Sequence, residues 1–214
     1  MNIRNWVRLF LHTFVLGGLV TVVTGFAVQW GKYKALFVSF DVLEILSITI
    51  WLVGVGFIFS AISQMGYFAY LTVHRFGLGF FRSLWNPVQA VIIAFVLFDF
   101  VYFRYKQFAG VNDSIGPYLL FALFLLLIGL SIAYIKSQQT NRHAFIPALF
   151  FMVCITIIEW FPVLRVNDQD WFHLMLYPLL ICNAYQLLML PKYIERSKVE
   201  KQNTSKTSEF LTGK

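Results

Sequence analysis

Charge is what this chain has least of. Only 13% of its 214 residues are charged and 59% are hydrophobic, where an ordinary soluble domain carries about a quarter charged and roughly half apolar. Cysteine is almost absent. The two present, Cys154 and Cys182, lie inside apolar runs, where a free thiol behaves as a small hydrophobe, so no disulfide framework is expected. The four histidines and two cysteines show no C-x-x-C or H-x-x-x-H spacing, and no metal site follows. Catalytic signatures are missing as well. Gly56-Phe-Ile-Phe-Ser60 does not supply a G-x-S-x-[GA] nucleophile, and there is no E-E-x-x-x-R, no H-E-x-x-H and no phosphate-binding glycine loop. A non-enzyme with no catalytic residue and no cofactor is the expectation. No internal repeat is visible.

What the sequence does have is length in its apolar runs. Charges fall in clusters separated by stretches of the length that about 30 Å of hydrocarbon demands of a helix. The runs are continuously apolar, which excludes the alternating pattern of a membrane barrel. The expected fold is all-α, a bundle of six transmembrane helices over residues 1–190, with spans Trp6–Trp30, Val42–Gly66, Trp85–Phe103, Gly116–Tyr134, Ala144–Val163 and Trp171–Leu190. Trp6, Trp30, Trp85, Tyr134 and Trp171 stand at or near span ends, as aromatic rings do at headgroup level. Arg4 and Arg8 open the first span like a signal peptide, but its apolar stretch is about as long as a full crossing and no A-x-A site follows, so an uncleaved anchor is expected. With the amino terminus cytoplasmic, twelve Lys/Arg fall inside and five outside, together the 17 of the composition. Positive residues favour the inner side, so both termini are expected in the cytoplasm. The net charge of +7 then faces anionic lipid, and nucleic acid is not an expected partner. Residues 191–214, polar and lysine-rich, read as a disordered cytoplasmic tail.

Several residues are candidates for more than architecture. Thr13, Gly17, Thr21 and Gly25, and Gly56, Ser60, Ser63 and Gly66, line small-residue faces that let helices approach closely. Asn183 and Gln186 share a face of the last span, with His173 and Tyr177 further out. Interhelical hydrogen bonding is the preferred reading, a substrate path the alternative. Glu159 lies about 22 Å along the fifth span from its inner end, at a depth similar to Asp99, with Arg104 and Arg165 as candidate counterions. The Asp99, Glu159, His173, Asn183 and Gln186 set is therefore a candidate intramembrane or outer-face site. Asp41 and Glu44 form a helix-entry D-x-x-E. Between the second and third spans, Tyr67–Trp85 is too apolar for a solvated loop and, with Gly77 and Gly79, too broken to cross. It reads as a segment at the cytoplasmic headgroup level, with Arg75, Phe76, Phe80, Phe81, Arg82 and Trp85 as a candidate partner-docking surface.

The strings Asn5-Trp-Val-Arg-Leu-Phe10, Ser39-Phe-Asp-Val-Leu-Glu44, Ile62-Ser-Gln-Met-Gly66, His74-Arg-Phe-Gly-Leu-Gly79 and Arg82-Ser-Leu-Trp85 resemble the KinB-signalling pathway activation protein (KbaA) family over roughly residues 1–190. The resemblance implies a multi-pass plasma-membrane protein of endospore-forming bacteria, needed for a membrane sensor histidine kinase to feed the phosphorelay that starts sporulation. It carries no catalytic residues, and the tail after Pro191 lies outside it. The expected function is an accessory protein whose partners are the bilayer and the kinase or an associated signalling protein. A small-molecule transporter or membrane ligand sensor is the alternative.

Overall fold

Apolar runs without strand-like alternation satisfy their backbone groups internally as helices, and helices are what the runs become. The structure is a computed structural model. It describes residues 3–110, 114–166 and 168–212, with side chains through residue 202, and contains no strand among them. The helices are α1 (Ile3–Val28), α2 (Trp30–Ser39), α3 (Val42–Phe81), α4 (Trp85–Phe108), α5 (Gly116–Gln139), α6 (Phe145–Phe150), α7 (Thr156–Leu164) and α8 (Gln169–Thr212). A π-helical turn, Phe151–Ile155, joins α6 to α7, and short 3-10 turns fill Arg82–Leu84 and Arg142–Ala144. Five helical stretches are long and apolar enough to cross a membrane: Ile3–Val28, Val42–Phe108, Gly116–Gln139, Arg142–Leu164 and Gln169–Gln202. Their outer faces carry exposed apolar side chains, such as Leu120 at 68%.

The small-residue faces set the tightest contact. α1 packs on α3 and α8, and a Cβ built on Gly56 would stand 2.7 Å from the Gly17 carbonyl oxygen. On the other side of the bundle, α6, the π turn and α7 form a nearly fully buried strip. Trp160 stacks on Phe100 and donates from Nε1 to the Phe172 carbonyl at 3.1 Å.

Two expectations need correction. Gly77 and Gly79 do not break α3, which runs 40 residues to Phe81. Gly77 instead gives room to the Trp85 ring, 2.3 Å from where its Cβ would stand. The chain reverses at Arg82, whose φ of 49° and ψ of −118° belong to a region L-residues avoid. The other correction concerns the tail. The boundary at Pro191 is no break, because α8 continues as helix to Thr212. Packing supports the continuation as far as residue 200: buried Ser197 accepts from Asn5 Nδ2 of α1 at 2.8 Å, and Glu200 accepts from the same amide at 3.1 Å.

Candidate functional sites: a buried polar cluster and a basic cleft

Where α3, α7 and α8 meet, five polar side chains close on one another. Asn183 Nδ2 donates to Glu159 Oε2 at 2.6 Å and to Thr156 Oγ1 at 3.0 Å. Ser63 Oγ donates to Asn183 Oδ1 at 2.6 Å and accepts from Gln186 Nε2 at 2.6 Å. All five are buried, which is what an apolar surround requires of polar groups. The remaining Glu159 oxygen, Oε1, has no hydrogen-bond partner among the described residues. It lies against Gly66, where an added Cβ would meet it at 1.8 Å. Gly66 is therefore the space into which the carboxyl group fits.

The candidate site expected around Glu159 thus divides. Asn183 and Gln186 join it. Asp99 does not: it is exposed and lines a separate cleft with Arg104 and Arg165. Neither arginine bonds Glu159. Arg104 stacks over Phe172 at 4.4 Å and Arg165 over Phe161 at 5.3 Å. His173 also stands apart, its Nδ1 paired with the Gln169 carbonyl at 2.8 Å and its ring beside Phe121 and Tyr177. Beyond it, Lys32 pairs with Asp170 near the start of α8, and this hydrogen bond holds the Lys32 ammonium above its ordinary range. Ser63 and Thr156 were missing from the expected set. A clue existed in Ser63 and Gly66, which share a face of α3 three residues apart.

The docking candidates divide too. Arg75, Phe76, Phe80, Phe81 and Arg82 are exposed. Trp85 is buried against Gly77, with Nε1 donating to His74 Nδ1 at 3.0 Å. It fixes the α3–α4 reversal and cannot present itself to a partner.

Beside that reversal lies a cleft of about 590 Å³ between α3, α5, α6 and α8, which sequence reasoning missed. Two prolines shape its chemistry. Pro191 lacks the N–H that would bond the Leu187 carbonyl, and Pro147 lacks the one that would bond His143. Lys136 Nζ donates to the Leu187 carbonyl at 2.5 Å, and Asn86 Nδ2 to the His143 carbonyl at 3.5 Å. Lys136 is consequently buried, continuing the Gly129, Ala133 face of α5, a spacing legible in the sequence.

An apolar helical bundle whose polar side chains turn inward defines the class: an all-helical protein built like a polytopic membrane protein. The family follows from comparison. The family model for KinB-signalling pathway activation in sporulation matches residues 17–193, and the chain belongs to that family. It is 50% identical over 195 residues to the KinB-signaling pathway activation protein of Bacillus subtilis (strain 168), covering 90% of this chain and 98% of that one. No solved structure matches.

Proposed function

We propose that this protein is a non-enzymatic, six-span plasma-membrane accessory protein that activates a membrane sensor histidine kinase pathway leading to sporulation. The observation that carries the reading is near full-length identity of 50% to a protein named for activating KinB signalling. Six spans follow if the 67-residue apolar stretch Val42–Phe108 is two crossings. At about 1.5 Å per residue it is several times too long for one, and the reversal at Arg82 divides it. The twelve-to-five charge split puts both termini, and the Arg82 end of the bundle, in the cytoplasm.

The activating contact is made by the cytoplasmic end of α3. Phe76 and Phe80 are 63% and 81% exposed, and Phe76 shares an open cleft with Arg75. Aromatic and arginine side chains are the usual anchors of protein interfaces. The hydrogen bonds that occupy Asn183 and Gln186 favour interhelical bonding over a substrate path. The test is photo-crosslinking from position 80 in native membranes, alongside Arg75→Lys. A kinase or associated signalling protein should be captured, and Arg75→Lys should weaken capture and sporulation, since a lysine keeps charge but loses the guanidinium fork. Normal sporulation of both Arg75→Lys and Phe80→Ser at equal abundance would remove α3 from the contact.

A further inference from the structure

The cleft beside the α3–α4 reversal holds two cations, Arg82 and Lys136, and no anion among the described residues. His74, His143, Ser83 and Asn86 line it as well. Two of its polar groups are more than nine-tenths buried. Lys136 has three N–H donors and spends one on the Leu187 carbonyl; Tyr67 Oη has no hydrogen-bond partner among the described residues. The bond from Trp85 Nε1 to His74 Nδ1 needs the lone pair of that nitrogen. His74 therefore carries its proton on Nε2 and is a donor there.

Arg82 adds a separate argument. Its φ and ψ, 49° and −118°, mirror an extended conformation and suit glycine. A turn alone would be better served by glycine, yet the chain keeps a guanidinium at this position, where it reaches the cleft. Backbone strain tolerated at a non-glycine residue is a marker of a functional group. The remaining walls, including Leu71, Leu78, Pro147, Leu187 and Leu190, are apolar.

We propose that this cleft binds a phosphate group, held by Arg82 and Lys136 with neutral donors from His74 and Tyr67. A guanidinium grips phosphate oxygens two at a time and an ammonium supplies a point charge. The apolar walls suit the headgroup of an anionic phospholipid better than a soluble phosphate ester. That source rests on the membrane reading above. The membrane reading fails separately, if the protein is recovered in the soluble rather than the membrane fraction.

The experiment is native mass spectrometry of the full chain in mild detergent, offered phosphatidylglycerol or phosphatidylcholine, with three variants. The unmodified chain should retain phosphatidylglycerol at least about tenfold better than phosphatidylcholine, the loss of one charge-assisted bond being worth about that factor. Arg82→Gly, which suits the backbone, and Lys136→Met should each abolish the preference. Lys192→Gln, an exposed lysine following the cleft on α8, should keep it. Adding glycerol phosphate at millimolar concentration separates the sources: displacement of phosphatidylglycerol assigns the site to a soluble phosphate, and its persistence assigns it to lipid. Equal retention of the two lipids by the unmodified chain, or an undiminished preference in both Arg82→Gly and Lys136→Met, overturns the proposal.

Discussion

The Glu159 cluster and the Arg82 cleft both place polar groups inside an apolar bundle, and they satisfy them in opposite ways. Around Glu159, four partners from three helices face one another at bonding distance, and a glycine admits the carboxyl group. In the cleft, donors line an open space and turn to proline-freed carbonyls for such partners as they have. A closed network ties helices together, because stranding any member leaves others unpaired. An open one retains binding capacity. The contrast separates what holds the bundle together from what is left over to meet something else.

The comparison breaks most readily at Gly66. Gly66→Ala drives a methyl group into Glu159 Oε1, and overpacking of this kind costs about 1–3 kcal/mol. The thermal midpoint of the purified protein should fall accordingly. Glu159→Asp in the same chain should recover part of the loss, and strict additivity of the two changes would show that the contact is not the cause.

Asn183→Leu comes next. It strands Ser63, Thr156 and Glu159 together, so its cost should reach about 2 kcal/mol, above the average of roughly 0.6 for a single interhelical bond in a membrane. Denaturant unfolding measures it, and a change no larger than that average would show the cluster to be loosely coupled. In the cleft, Trp85→Phe removes the donor to His74 Nδ1 at about 1 kcal/mol and frees the ring to change tautomer. Phosphatidylglycerol preference should then weaken while most of the stability stays; loss of stability with unchanged preference would assign the bond to folding alone.

The Lys32–Asp170 pair should give the smallest effect, being exposed. The hydrogen bond raises the Lys32 ammonium above 10.5. Its contribution is therefore fully present below the unfolded value and is lost as pH rises through the folded one. Thermal midpoints of the unmodified chain and Lys32→Gln should differ slightly near neutrality and converge in strong alkali. Divergence with rising pH would contradict the pair.

Helix beginnings were the most legible part of the fold. Asp41 caps α3 by accepting from the Glu44 backbone N–H, as the D-x-x-E string suggests, and α4 and α5 begin at the expected Trp85 and Gly116. Helix ends were less so, because tertiary packing decides them. Gly77 reads as a breaker in isolation, and only the Trp85 ring folded back onto it explains its presence inside a helix. Pro191 reads as a stop, and Lys136, from another helix, takes up the carbonyl it frees. In the candidate site, the burial of Asn183 and Gln186 followed from their place in an apolar run. Their link to Glu159 did not, because it joins spans whose relative heights no single sequence records. Arg104 and Arg165, nearby in depth on paper, are drawn to aromatic faces instead.

The hydrogen bond from Asn5 to Ser197 joins residues 192 positions apart, and it sets a timetable for biogenesis. α1 leaves the ribosome before α3 and α8 and can pair with α3 once that helix follows, but its remaining face stays open until α8 arrives. At about 5–20 residues per second, the nascent chain waits on the order of 10–40 s between making Asn5 and making its partner. Throughout that interval the face of α1 destined for α8 is uncovered, open to whatever apolar surface it meets, and it closes only when α8 has been made.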